Sequence, residues 1–354
     1  MSVVLVKKIK FYDGTKLLSL KDTDGETPAI FVSVGNRSTG KTTYFNKMLV
    51  NRFKKGKGKF LLLYRWKYEL SGVADKFFKD IQELFFPDDT MSEKIKEHGQ
   101  YVELKLNDDV CGYAVSINGA NSVKKLSHFF NDVTCMFFDE FMPEDGRYCP
   151  DEVQKLQSIY SSISRGHGEP CRYVSVIMVS NTITILNPYF ELWGFSSRIQ
   201  KDTKYLRGAG VVLECYFNEE ISQRQQQTAF SRAFAGSNYQ AYANTNIYLN
   251  DNLTFVETIR EETEYVCTVC YRGQDFAIRK CVPLGVLYCD KNVDKSYPVR
   301  LALTTSDMRS DFVLMENFGY LIQQLRTVFN QGGFRFKDLS CKECIFELIG
   351  HRYY

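Results

Sequence analysis

The chain has 354 residues, of which 44% are hydrophobic and 25% charged, and its net charge is +3. That length suits two domains better than one, and the composition excludes a generally disordered chain. No apolar run reaches the roughly eighteen residues of a membrane span, and Met1 to Lys8 lacks the apolar core of a secretory signal, so a cytoplasmic protein is expected. The eleven cysteines are odd in number and scattered through predicted strands, which reads as buried reduced thiols rather than a disulfide framework.

Residues 1–28 form a lead-in, with a possible strand at Val3 to Ile9 and a turn at Asp13-Gly14. An apolar strand, Ala29 to Val34, then breaks into Gly35-Asn36-Arg37-Ser38-Thr39-Gly40-Lys41-Thr42-Thr43. This satisfies the G-x-x-x-x-G-K-[ST] phosphate-loop pattern without substitution. The glycines let consecutive amide N–H groups turn inward around an anion, and a helix over Thr42 to Phe53 aims its positive dipole end at the same place. Lys41 is expected to reach the β- and γ-phosphates of ATP, and the Thr42 hydroxyl to ligate Mg2+.

Between Lys41 and Lys67 the chain carries nine Lys or Arg and no acid, leaving −6 for the remainder. Lys54, Lys55, Lys57 and Lys59, spaced by glycines, make either a loop that touches a nucleic-acid backbone or a solvated basic turn. Phe60 to Trp66 reads as a strand covered on both faces, and Tyr68 to Phe86 as the helix of a βαβ series, stopped by Pro87. Residues 101–117 resemble a hairpin decorating the sheet, followed by a short helix over Asn121 to Phe130.

Val133 to Phe138 is an apolar strand ending in Asp139-Glu140, 98 residues after Lys41. A strand ending in adjacent carboxylates beside a phosphate loop is the Walker B design. Asp139 would hold Mg2+, and Glu140 would orient or deprotonate the attacking water. A helix over Pro150 to Arg165 follows. Arg165, at its end before a Gly-rich loop, could complement the helix dipole or serve as an arginine finger for a neighbouring subunit. The strand Arg172 to Ser180 exits into Asn181, which could face the γ-phosphate or simply form a turn.

Val211 to Phe217 completes a mostly parallel, doubly wound α/β core over residues 1–217. Residues 218–246, rich in Gln, Ser and Asn, read as a linker or small helical subdomain. Residues 247–354 read as an α+β domain: strands at Leu253 to Ile259, Tyr265 to Tyr271, Asp275 to Lys280, Gly285 to Cys289 and Val299 to Leu303, then helices at Phe312 to Asn330 and Cys341 to Leu348. Cys267/Cys270 and Cys341/Cys344 raise zinc, but the first pair lies within a strand, where residues three apart face opposite sides and cannot chelate together unless the strand breaks. Glu257, Asp275 and Asp290 could supply a nuclease metal cluster, although their spacing does not single them out.

The stretches Phe31 to Thr42, Tyr64-Arg-Trp-Lys-Tyr-Glu-Leu70, Phe138-Asp-Glu-Phe141 and Ser180-Asn-Thr-Ile-Thr-Ile-Leu-Asn-Pro-Tyr-Phe190 resemble the DNA-packaging ATPases of phi29-type podophages. The resemblance covers about the first 190 residues, and Arg37 in the loop fits it too. It implies a P-loop ATPase of the class with an additional strand and a catalytic glutamate (ASCE), in which Lys41 and Thr42 bind nucleotide and Mg2+, Asp139 and Glu140 are the Walker B pair, and Arg165 is a trans-acting finger. It further implies a homomeric ring, expected to be pentameric, on the portal of a procapsid in the host cytoplasm. That ring would drive double-stranded DNA inward, sometimes with a packaging RNA. The carboxyl-terminal domain is then expected to be RNase H-like and vestigial as a nuclease. Two other readings are a large-terminase-like ATPase with an active nuclease, and a nucleotide-gated DNA-binding or scaffold protein without turnover.

Overall fold

The structure is a computed structural model that describes residues 11–144, 146–165, 171–182, 184–185, 187–196, 198–199, 203–233, 255–314 and 318–350. It divides into two compact units, residues 1–250 and 251–354. The expected strand Val3 to Ile9 and residues 234–246 of the expected linker lie outside the described residues.

The first unit runs α1 (Thr15–Leu18), β1 (Ile30–Gly35), α2 (Lys41–Lys54), β2 (Lys59–Tyr64), α3 (Val73–Phe85), β3 (Met91–Lys96), β4 (Tyr101–Leu106), β5 (Asp109–Ser116), α4 (Ala120–Lys125), β6 (Val133–Asp139), α5 (Glu152–Ile163), β7 (Ser175–Asn181), α6 (Pro188–Leu192), β8 (Tyr205–Gly208), β9 (Val211–Tyr216), α7 (Glu219–Gln226) and α8 (Ala229–Ala233). Its sheet has nine strands in the order β3-β4-β5-β2-β6-β7-β1-β9-β8. From β5 to β9 every neighbouring pair is parallel. β3 and β4 add antiparallel at one edge and β8 at the other. β7 lies between β1 and β6, so an additional strand separates the phosphate-loop motif from the strand that ends in Asp139.

Packing explains why the central strands read as unbroken apolar runs. Val32, Leu61, Leu63, Met136, Phe138 and Met178 enter the core on one face, and Phe31, Phe60, Leu62, Cys135, Phe137 and Ile177 the core on the other. Parallel strands with helices on both sides have no solvated face. Several expected elements are shorter than their periodicity suggested, among them the helix expected over Phe312 to Asn330, which begins at Gly319 and follows a short strand at Val313–Leu314. The stretch from Tyr68 to Phe86 is broken at Gly72, whose φ of +66° begins α3, after a separate 3-10 turn at Lys67–Leu70. The strand from Phe60 stops at Tyr64, because Arg65 turns into a buried ion pair described below.

The second unit consists of β10 (Glu264–Tyr271), β11 (Gln274–Cys281), β12 (Val286–Asp290), β13 (Arg300–Ala302), β14 (Val313–Leu314), α9 (Gly319–Asn330), β15 (Phe334–Phe336) and α10 (Leu339–Gly350). Its sheet order is β14-β13-β10-β11-β12-β15. Three antiparallel strands, β10 to β12, are extended by β13 and β14 in parallel, the RNase H-like arrangement, and β15 is added parallel beside β12. Residues 255–259 form no strand; Val256 makes an isolated bridge to Phe336. Residues Ile322, Leu325, Cys341, Cys344, Ile345 and Leu348 cover one sheet face. Cys267 joins that core while Cys270 belongs to a small cluster with Ala302 and Phe312. Burial pushes the Cys267 thiol up to about 12. Among the described residues no three His, Cys, Asp or Glu are grouped to hold a metal ion, and no helix is long and apolar enough to cross a membrane.

Candidate nucleotide-binding site

The loop after β1 follows from two glycines with different tasks. A Cβ on Gly35 would run into the main-chain carbonyl of Tyr216, because β1 and β9 are directly paired there. Gly40 has φ +88° and caps α2 in the left-handed conformation, which costs a residue without Cβ little. Behind it Lys41 is 6% exposed, and its Nζ donates to the Asn36 carbonyl (3.0 Å) and to Thr39 Oγ1 (3.2 Å). The lysine thus lies folded across the cradle. Burial pulls its pKa down to about 8, against the opposing pull of Asp139 and Glu214. A phosphate would meet a cation already stripped of most of its water.

Thr42, the next residue of α2, donates from Oγ1 to Asp139 Oδ1 at 3.2 Å. A hydroxyl and a carboxylate this close are hard oxygen donors of the kind Mg2+ takes, so the pair fits that ion. Burial first, then the neighbouring charge of Glu140, pushes the Asp139 carboxyl up to about 6, opposed by bonds from Thr42 and the Glu140 amide and by Lys41. Glu140 is exposed, has φ +53°, and donates its N–H to Asp139 Oδ1 (3.0 Å). A left-handed glutamate on a strand end is the kind of strained residue that concentrates at reactive sites.

The remaining expected site residues fall in several places. Arg37 is ion-paired with Glu144, in the loop that follows β6, and Ser38 is exposed with φ +60°. Thr39 is buried, and Thr43 is half-buried on α2. The Asn36 side chain is fully buried, with both polar atoms bonded to the Asn218 main chain: Nδ2 donates to its carbonyl (3.2 Å) and Oδ1 accepts from its N–H (3.0 Å). Asn181 is half-buried at the end of β7, in register with Gly35. Arg165 is exposed just beyond α5. The 12 residues of α5 carry the chain about 18 Å back across the sheet. There the Ser164 carbonyl accepts from the Arg172 N–H (2.8 Å), and the Arg172 guanidinium donates to the carbonyl of Val133 at the start of β6. Arg165 therefore lies at the pole of the sheet opposite Lys41, Asp139 and Glu140 of its own chain. The lysine loop is at that far pole too, between α2 and β2. Lys54 is paired with Asp89 and Lys59 with Asp132, while Lys55 and Lys57 are exposed.

One constellation escaped the residue-by-residue reading. Arg65, 7% exposed, makes a bidentate pair with Glu152 (2.7 and 3.1 Å) and donates to the carbonyls of Phe141 (2.8 Å) and Glu140 (3.4 Å). Glu152 also accepts from the Tyr189 hydroxyl (2.9 Å) and the Cys149 N–H (3.0 Å). The network ties the end of β2, the turn after Glu140 and the start of α5 together. It also accounts for Asn-Pro-Tyr-Phe: Asn187 accepts from the Phe190 N–H (2.9 Å) as N-cap, Pro188 opens α6, Tyr189 reaches Glu152, and Phe190 is core. That motif was the available signal.

With this geometry in view, comparisons with known proteins are informative. The profile of the podovirus DNA encapsidation protein (Gp16) family matches residues 6–353. The DNA packaging protein of Bacillus phage phi29 is 27% identical over 346 residues, 97% of this chain and 98% of that protein. Among solved structures, the bacteriophage Phi-29 viral genome packaging motor assembly matches with a TM-score of 0.70 and 23% identity, covering 96% of this chain and 98% of the other. The Phi-28 gp11 DNA packaging motor matches at 0.60 and 17%, covering 97% and 99%. A phosphate-loop motif, the adjacent carboxylates Asp139 and Glu140 and a strand between them thus sit in a chain that, over nearly its full length, belongs to the podovirus DNA encapsidation protein family.

Proposed function

We propose that this chain hydrolyses ATP and uses the energy to move double-stranded viral DNA into a preformed procapsid, as a homomeric ring seated on the portal. The observation that carries the reading is the contact between Thr42 and Asp139, which joins the two nucleotide motifs across 97 residues of sequence. The loop amides and Lys41 bind the phosphates, Thr42 and Asp139 hold the magnesium ion, and Glu140 orients the attacking water and takes its proton. Magnesium, when bound, neutralises charge on the phosphate oxygens. Arg165 serves the site of the neighbouring subunit. Its exposure, and its place at the far pole from its own cradle, support that role over a cis one. A pentameric ring, a portal contact and a packaging RNA are carried from the family resemblance. Exposed Lys55 and Lys57 are candidates for backbone contact with nucleic acid.

Replacing Glu140 by Gln is expected to leave ATP binding intact and to lower turnover by at least about a hundredfold. Retained hydrolysis overturns the assignment. Arg165→Ala subunits mixed with Glu140→Gln subunits should recover activity that neither has alone, because some interfaces then hold an intact pair. No recovery would return Arg165 to a local role at the end of α5. Phosphate release stimulated by DNA separates the motor from a scaffold without turnover.

A further inference from the structure

The nucleotide loop is tied to an element that none of its chemistry requires. Asn36 is the residue after Gly35, and its side-chain amide pairs with the Asn218 peptide through two reciprocal hydrogen bonds, 182 residues away in sequence. Asn218 is the N-cap of α7: its Oδ1 accepts from the Ile221 N–H (3.1 Å), and its Nδ2 donates to the Tyr216 hydroxyl (3.3 Å). Ile221 and Ser222 are buried, so the first turn of α7 is packed rather than frayed. Close packing of Gly35 against the Tyr216 carbonyl holds the same two segments together from the strand side. The Asn36 residue thus faces two ways. Its side chain holds α7, and its carbonyl accepts from Lys41 Nζ and from Thr39 Oγ1.

We infer that Asn36 is a positioning residue that couples occupancy of the phosphate cradle to the start of α7. The inference rests on the nucleotide reading above. Phosphate oxygens compete for Lys41 Nζ, and the Asn36 carbonyl loses its charged donor as they bind. The peptide following Gly35 then re-seats around the anion, and the buried side chain on that residue transmits the change to the Asn218 peptide. Both bonds act on the main chain of Asn218, so the Asn218 N–H and the first turn of α7 report the state of the loop directly. By linkage the effect is reciprocal: whatever displaces α7 alters nucleotide affinity by the same factor.

The test is hydrogen exchange of the full chain with and without Mg-ADP, read over residues 35–42 and 217–222. In the native sequence both segments should be protected by nucleotide, the second by about tenfold. In Asn36→Asp, which cannot donate to the Asn218 carbonyl, protection of 35–42 should persist at saturating nucleotide and that of 217–222 should be lost. Asn218→Asp retains the cap acceptor and the paired peptide, and should behave as the native chain. Protection of 35–42 without 217–222 in the native protein overturns the coupling and leaves the nucleotide site standing. Protection of neither segment overturns both. Full protection of 217–222 in Asn36→Asp also overturns the coupling. Should that variant fail to fold, Asn36→Ser, whose hydroxyl is too short to make both bonds to the Asn218 peptide, is read in the same way and with the same two outcomes.

Discussion

Replacing Arg65 by Met removes the cation from the network that holds the turn after Glu140, while keeping most of the side chain's bulk. The Glu152 carboxylate that it abandons is only 3% exposed and keeps two donors, Tyr189 and Cys149, neither of them charged. Taking one partner from a buried pair costs about 3–5 kcal/mol, mostly as the penalty of the charge left behind. For a unit of this size that corresponds to a drop of roughly 6–20 °C in Tm, and to a matching fall in urea midpoint. Arg65→Met combined with Glu152→Gln should recover a large part of the loss, because the orphaned charge is gone; the carbonyls of Glu140 and Phe141 stay without their donor, so ATPase activity should not follow stability back. Urea denaturation and steady-state hydrolysis on the two variants measure both effects. A stability change for Arg65→Met within about 0.5 kcal/mol of the native chain would refute the claim that this pair is buried and uncompensated.

Gly35→Ala places a methyl group against the Tyr216 carbonyl and should destabilise the first unit by about 3 kcal/mol in urea titrations. In the second unit, burial acts to raise the Asp338 carboxyl, but bonds from the Ser340 hydroxyl and the Cys341 N–H together with Lys291 hold it below its ordinary value. A carboxyl lowered by folding adds stability that is present above pH about 4 and lost as pH falls through its folded value. Asp338→Asn should therefore flatten the acid limb of a stability–pH profile while leaving the cap of α10 acceptable. Lys55→Ala with Lys57→Ala should reduce the dependence of DNA affinity on salt by a slope of about 2, if both touch phosphates. An unchanged slope in a filter-binding titration assigns that loop to solvent.

How far these features could be read from the residues depends on how local their causes are. The phosphate-loop motif and the acids Asp139 and Glu140, which close β6 and follow it, stand out in the sequence because each is a contiguous pattern. The central strands were legible because burial on both faces leaves an unbroken apolar run. β3, Met-Ser-Glu-Lys-Ile-Lys, was not, since it is an edge strand with several polar side chains in solvent. β14 and β15 are only 2 and 3 residues long and depend on neighbours distant in sequence. Arg65 and Glu152 look in sequence like any exposed pair of charges; only folding puts them together out of water. The Asn36–Asn218 pair is hidden for a similar reason, because an asparagine in a phosphate loop reads first as a ligand of the phosphate.

The placement of Arg165 has a consequence for how this protein must be handled at the bench. One sheet carries a complete cradle at one pole and an exposed arginine at the other. If the two belong to the same reaction, a lone chain owns two half-sites and no whole one. Its rate per molecule then varies with concentration, rising as subunits meet head to tail and falling on dilution, while nucleotide affinity stays nearly level. Activity measured at a single dilution would describe the assembly equilibrium as much as the chemistry.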